Sequence, residues 1–305
     1  MVVERRQIDL VIQEDGAVHV TETVTARTVG RPEEFERELT TRGDSARVDR
    51  FEAVDASIVA EDPSAPGQVL IEMRGNGDVH VRWPEAPADV ARTYRLDYRA
   101  EGALEVIGTR AWLRWRLTPL MPSYPIADVV VTLQVPAGMR FAEPPAIAGE
   151  GWTLTAQPGG VRATHGAQAP GQEARLTAVM DIGALTLLEP RWQQNADRAR
   201  EMAPAFLSGA LCILVVGVGA IIMVRVQYMK SRATSALMSA RDAGRGLVVT
   251  GVVVLVLGAA TAAGVPFAIE RYGPSIATIP ASLILVCVLM LVAGIRLGRW
   301  HIDIR

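Results

Sequence analysis

The residues best suited to acid–base or metal chemistry at neutral pH are four histidines, His19, His80, His165 and His301. None has a second histidine or a cysteine at metal-ligand spacing, so a zinc or other transition-metal site would have to assemble entirely from distant loops. Gly43-Asp-Ser45 has the residues that open a serine hydrolase block. Such a serine needs a preceding hydrophobic strand, however, and here Arg42 and Arg47 flank a polar loop, so a turn is expected. Glu33, Glu34, Glu36 and Glu38, taken with Glu61-Asp62, supply oxygens that suit calcium. They lack the alternating ligand spacing and turn glycine of a calcium loop, which leaves a solvated acidic face. These patterns predict no catalysis, no cofactor and no metal.

A second group of residues suits binding better than reaction. Tyr94 and Tyr98 are four apart, and Trp83, Trp112 and Trp115 lie in or near strands, so several rings share a face if these segments pair. A buried aromatic core is expected; an exposed platform for glycan or peptide is the alternative, because rings with a polar tip also anchor ligands. Arg92, Arg95, Arg99, Arg110, Arg114 and Arg116 are interleaved among them. A ladder with acidic neighbours such as Asp97 and Glu105 is expected, with contacts to anionic headgroups or envelope polymers as the alternative.

The elements that must carry these residues are β strands. Ile8, Leu10 and Ile12 alternate with mostly polar neighbours, Asp15-Gly16 marks a turn, and Val18, Val20, Glu22 and Val24 resume the alternation, which predicts a hairpin. Further strands are predicted at Phe51 to Ala60, Val69 to Arg74, Val79 to Trp83, Thr93 to Ala100, Ala111 to Leu117, Val129 to Pro136, Trp152 to Ala156 and Ala174 to Ile182. Gly and Pro punctuate them at Ser64-Ala-Pro-Gly67, Gly75-Asn-Gly77, Gly108, Pro158-Gly-Gly160 and Pro170-Gly171. Many short strands with frequent turns predict an all-β antiparallel sandwich over residues 1–188, or two small sandwiches divided near Pro119 to Pro125. No convincing helix follows any strand, which disfavours a doubly wound nucleotide-binding fold.

The remainder is of another kind. Ala205 to Val224, Gly246 to Ile269 and Tyr272 to Ile295 together form three strongly apolar runs, each about the length needed to span a bilayer as a helix. The chain is therefore read as a multi-pass membrane protein. A juxtamembrane linker is expected over 189–204, and the membrane part over 205–305 has helices at about 205–224, 246–269 and 274–295. Cys212 and Cys287 both fall inside these runs as packing residues, so the soluble part has no disulfide framework. The three runs contain no Asp, Glu, Lys, Arg or His, which argues against a pump or proton-coupled carrier.

Charge divides the same way. Met1 to Pro204 holds 22 arginines against 30 acidic residues, a surplus of 8 negative charges, whereas Ala205 onward holds 9 basic and 3 acidic residues, a surplus of 6 positive ones. An acidic soluble domain argues against nucleic acid as a partner. Arg225, Lys230, Arg232, Arg241 and Arg245 lie between the first two spans and Arg296, Arg299 and Arg305 follow the third, against Arg191, Arg198, Arg200 and Arg271 on the other side. Eight against four predicts a cytoplasmic first loop and C-terminus in the plasma (inner) membrane, with the N-terminal domain extracytoplasmic. Met1 to Leu10 has no apolar run of signal-peptide type, so an export signal is expected upstream of this sequence; the alternative is a cytoplasmic domain and a misleading charge count. Val226, Met229, Ala233, Leu237 and Ala240 recur at helical spacing among the basic residues of the first loop, which makes Arg225, Lys230, Arg232, Arg241 and Arg245 candidates for contacts with anionic lipid on the inner leaflet.

The Asp15-Gly16 hairpin with Val18-x-Val20-x-Glu22, the Tyr94-Arg-Leu96-Asp-Tyr98 strand running to Gly102, Trp112-x-x-Trp115, and Val129 to Val135 ending at Pro136 occur in an order that resembles domain of unknown function 2207 (DUF2207), the YciQ-like predicted membrane proteins. The resemblance covers roughly residues 7–140 plus the first span. It implies an exported β-rich domain ahead of membrane helices and assigns no catalytic residues. Tyr124 stands where the family pattern would place a further tryptophan. The expectation is a binding or scaffold module in a bacterial cell-envelope assembly, with the lipid bilayer and an envelope or membrane protein as partners. A channel or transport subunit, or an envelope enzyme with an unrecognised site, is the alternative.

Overall fold

The computed structural model describes residues 1–30, 33–41, 47–59, 69–117, 124–233 and 240–299. Among them are fifteen strands followed by three α-helices. The strands are β1 (Val2–Ile12), β2 (Val18–Arg27), β3 (Glu33–Leu39), β4 (Arg50–Val59), β5 (Leu70–Met73), β6 (Val79–Ala86), β7 (Ala91–Glu101), β8 (Leu104–Ile107), β9 (Arg110–Arg116), β10 (Val129–Gln134), β11 (Arg140–Phe141), β12 (Ala146–Ala148), β13 (Thr153–Gln157), β14 (Gly160–His165) and β15 (Arg175–Asp181). The helices are α1 (Arg191–Ala233), α2 (Ala240–Tyr272) and α3 (Thr278–Arg299), with a 3-10 turn at Pro274–Ala277 before the last. The chain divides into two compact units, Met1–Gln193 and Gln194–Arg305.

The predicted hairpin forms as its residues dictate. Asp15 Oδ1 accepts the Ala17 N–H at 3.0 Å and Gly16 takes φ +84°, a left-handed conformation that glycine adopts without a Cβ clash. β1 and β2 then pair antiparallel from Ile12–Val18 back to Val2–Arg27, which turns Ile8, Leu10 and Ile12 and Val18, Val20 and Val24 to the same buried face. This pair lies inside a seven-stranded sheet of order β13-β14-β10-β1-β2-β7-β4. Two smaller sheets complete the unit, β3-β6-β5 and β11-β15-β9-β8 with β12 beside β15, and one continuous apolar core draws residues from all three.

One sheet draws strands from both sides of the stretch near Pro119 to Pro125. β10, which follows the Pro-rich stretch at 119–125, pairs in parallel with β1, Arg6 opposite Val129 and Leu10 opposite Leu133, so the two halves of the sequence share one sheet. That pair also departs from a purely antiparallel design, because a strand returning from the second small sheet enters beside β1 in the same direction as β1. β3, β8, β11, β12 and β14 lie outside the strands predicted from alternation.

The unit closes on the first residues of α1. The carboxylate of Asp49 accepts the backbone N–H groups of Arg191 at 2.8 Å and Trp192 at 3.0 Å, capping a helix whose start lies far along the chain. Gln193 donates to the Val106 carbonyl at 2.5 Å and accepts its N–H at 2.9 Å, while Trp192 Nε1 donates to the Gly102 carbonyl at 2.7 Å. Gly102 has φ +70°, and a Cβ there would meet Asp49 Oδ2 at 2.5 Å, so a glycine is required beside the cap. Asp49→Ala is expected to destabilise the helix start by about 1–2 kcal/mol, read as roughly tenfold faster amide exchange at residues 191–194 with exchange elsewhere little changed.

In the second unit Arg191–Gln227, Arg245–Pro266 and Pro274–Arg296 are each long and apolar enough to cross a membrane. Helix α1 is continuous through the stretch 189–204 from Arg191 on, and Leu207, Leu211, Val215, Val216, Ile222 and Met223 are exposed on it, as lipid contact would require. Two glycines of α2 lie close against α3: a Cβ on Gly258 would meet Ile284 at 3.2 Å and one on Gly251 would meet Leu291 at 3.3 Å, whereas Gly264 faces open space. Close backbone approach of this kind holds helices together where lipid removes the hydrophobic drive.

Candidate functional site

β1 and β2 each place one charged side chain among the apolar residues of their inner face. Arg6 precedes Ile8, Leu10 and Ile12 in the inward register, and Glu22 follows Val18 and Val20; only 4% of Arg6 and 3% of Glu22 is exposed. A third charge comes from another sheet. In β3 the residues Phe35, Arg37 and Leu39 face inward while Glu34, Glu36 and Glu38 face out. Glu22 accepts Arg6 Nη2 at 2.9 Å, Arg37 Nη2 at 2.9 Å, Arg37 Nε at 3.2 Å and the Tyr98 hydroxyl at 3.0 Å. Arg37 Nη1 also donates to the Glu38 carbonyl at 3.0 Å.

Burial would raise the Glu22 carboxyl, but the charges of Arg37 and Arg6 and their hydrogen bonds outweigh it and hold the group well below the usual carboxylate range. Burial likewise would lower the Arg37 guanidinium, and the Glu22 carboxylate raises it instead. The Tyr98 phenol is pushed well above its ordinary value, first by burial and then by the adjacent carboxylate, so it stays a donor. The Glu22–Arg37 pair is therefore ionic, and the cluster sets two guanidiniums around one carboxylate.

This cluster forms the floor of a cavity of about 290 Å³, near the lower end for small-molecule sites. Phe35, Phe51, Trp83, Tyr94 and Trp115 supply aromatic walls, and Val3, Val24, Leu39, Val48, Leu96 and Ile126 the aliphatic ones. Tyr94 stacks on Phe35 with ring centroids 4.6 Å apart, and Trp83 meets both rings. Arg116 and Tyr124 also line the space. The arrangement can bind and orient a small molecule.

The other sequence-predicted groups fall elsewhere. Tyr94, Tyr98 and Trp115 are buried, and Trp112 is half-buried on the opposite side of β9. The arginine ladder is present at Arg95–Asp97, 2.6 Å, and Arg114–Glu105, 3.5 Å. Glu34 and Glu36 pair with Arg82, and Glu38 with Arg74. His165 is held by the carbonyls of Gly166 and Glu150, His80 stands 3.5 Å from Glu36, and among the described residues no three His, Cys, Asp or Glu converge as a metal site would need. Gly43-Asp-Ser45, Glu61-Asp62 and His301 lie outside the described residues. Arg225, Lys230 and Arg232 belong to the end of α1 and Arg241 and Arg245 to the start of α2, with Arg225, Lys230 and Arg245 exposed.

Among curated proteins none matches this chain. Solved structures do, at low likeness. A candidate nutrient-binding protein from Legionella pneumophila is 11% identical with a TM-score of 0.38, covering 59% of this chain and 66% of its own. An M1 zinc metallopeptidase from Deinococcus radiodurans is 15% identical with a TM-score of 0.34, covering 58% of this chain and 42% of its own. A candidate protease from Parabacteroides distasonis is 12% identical with a TM-score of 0.37, covering 97% of this chain and 58% of its own. This chain thus spans less than two thirds of the length of each. The family described as predicted membrane protein (DUF2207) N-terminal domain matches residues 2–180, which is the β-rich unit almost entire. With that match over more than half its length and three helices of membrane-spanning character behind it, the chain belongs to the DUF2207 family of membrane proteins.

Proposed function

We propose that this protein is a membrane-anchored extracytoplasmic β domain that works by binding, as a module of a bacterial cell-envelope assembly, and performs no reaction of its own. The observation that carries the reading is the cavity: aromatic and aliphatic walls over a charged floor suit recognition of a small molecule, and they do not set a nucleophile beside a base. A protein partner has a second place to attach. β5 pairs only with β6 among the described strands, and Leu70, Ile71 and Met73 on it are exposed, which favours strand addition at that edge. The basic ends of α1 and α2, with Arg225, Lys230, Arg232, Arg241 and Arg245, would rest on anionic lipid of the inner leaflet, each contributing about 1 kcal/mol.

Two measurements test this. Lys230 is the single lysine of the sequence, so an impermeant amine reagent applied to whole cells is expected to spare it and to label an Arg74→Lys variant on the exposed face of the β domain. Labelling of Lys230 with sparing of residue 74 would invert the orientation. Crosslinking in native membranes followed by mass spectrometry is expected to recover a bound molecule or envelope protein attached to the β domain; a protein recovered alone would overturn the binding role.

A further inference from the structure

We infer that the cavity takes a small apolar carboxylate, an inference that rests on the binding role just proposed and names the chemistry of its ligand. Three observations lead there. First, the charge of the buried cluster does not balance: among the described residues Arg6 and Arg37 share the single carboxylate of Glu22, one positive charge in excess, while Arg116, which also lines the space, has a partner of its own. Glu36 and Glu38 border the cavity but are about half exposed and engage Arg82 and Arg74 on the outer side of β3. Tyr98 stays neutral. The surplus charge of the cluster calls for an anion.

Second, donors remain on the floor. Nη2 of Arg6 bonds Glu22, and among the described residues Nε and Nη1 make no hydrogen bond, although the side chain is 5% exposed. Nε–H and one Nη1–H each run parallel to an Nη2 hydrogen on their own side of the guanidinium, and the one of those two pairs that Glu22 leaves free has the geometry that a carboxylate accepts, with the low dielectric of the site strengthening such bonds. Third, Phe35, Phe51, Trp83, Tyr94 and Trp115 make the rest of the described lining largely apolar, so the body of the ligand is apolar as well. The size of the cavity restricts it to a short chain or one ring. A fatty acid and an arylalkanoic acid share this chemistry.

The full-length protein in zwitterionic nanodiscs provides the test, with tryptophan fluorescence as readout because Trp83 and Trp115 line the space, and with empty nanodiscs correcting for partition into lipid. The probes are octanoate, octanamide, octylamine and 4-phenylbutyrate. Octanoate is expected to bind about tenfold or more tighter than octanamide, which has the same tail without the charge, and octylamine to bind weakest. The ratio of octanoate to 4-phenylbutyrate identifies the preferred tail. Arg37→Gln is expected to reduce octanoate to the affinity of octanamide. Val48→Phe, which fills the cavity and leaves the ionic cluster intact, is expected to abolish binding of every probe. Octanamide binding as tightly as octanoate would overturn the carboxylate assignment while leaving a ligand-binding cavity in place. Failure of all four probes to bind the unaltered protein would also overturn it, and the native-membrane crosslinking then decides independently whether the domain binds something else. Both of these results are read on the unaltered protein, so neither requires a variant to fold.

Discussion

Glu22→Gln is expected to lower the stability of the β domain by about 3–5 kcal/mol, the largest single effect on the ionic cluster, because it strands two guanidiniums in the interior without a counter-charge. The comparison that isolates the cause is the triple replacement Arg6→Met, Glu22→Leu, Arg37→Met. Removing all three charges together leaves nothing to neutralise, so this variant is expected to be as stable as the parent or more stable by about 1–4 kcal/mol. It should lose the octanoate selectivity while keeping the fold. Urea unfolding of the full chain in nanodiscs, followed by tryptophan fluorescence, reads both. A Glu22→Gln cost below about 1 kcal/mol would mean that the cluster is hydrated and not enclosed.

The same cluster sets a pH dependence whose sign follows from the direction of the shift. The folded carboxyl lies below its ordinary value of 4.5, so its contribution is complete above about pH 4.5 and is lost as pH falls from there toward the lowered value. The parent is therefore expected to weaken in acid more steeply than the triple variant, and the two curves should run parallel near neutrality.

Trp83→Ala is expected to cost about 3–5 kcal/mol by leaving a large hole at the junction of two sheets. The indole is 1% exposed, lies 5.3 Å from the Phe35 ring and 5.8 Å from that of Tyr94, and donates Nε1–H to the Ser57 carbonyl at 3.1 Å. It thus ties β6 of the small sheet to β4 of the large one. Loss of the tie should raise amide exchange in β3, β5 and β6 first, with the global transition lowered as well because one core serves all three sheets. Trp112→Ala, at a half-buried position on β9, should cost clearly less. Equal costs at the two sites would contradict the single-core architecture.

How far the sequence foretold these features depended on how local their cause was. The β1–β2 hairpin follows from Asp15-Gly16 and the alternation of Ile8, Leu10 and Ile12 before it and of Val18, Val20 and Val24 after it, and the three spans follow from apolar length alone, since backbone in lipid must satisfy its own hydrogen bonds. β3 was hidden because Glu33-Glu-Phe-Glu-Arg-Glu-Leu39 has arginine at one of its three inward positions, which breaks the apolar period that marks a strand. β8 is too short, at four residues, for alternation to register. The cavity was hidden for a different reason. Glu22 sits in the same inward register as Val18, Val20 and Val24, and a charge at such a position is a sign of a buried ion pair, but its partners belong to β1 and to a separate sheet. Only the long-range pairings bring Arg6 and Arg37 to it.

The parallel pairing of β1 with β10 governs how this domain comes into being. Arg6 waits for Val129, so β1 stays without one neighbour until well over a hundred further residues have been synthesised. Closing so long a loop is slow, and the interval leaves an apolar ribbon open to misassociation. A nascent chain that stops before Gln134 would lack the central staple of its largest sheet. The domain is therefore committed to maturing late, and a cell making it in quantity has reason to shield its opening strands until then.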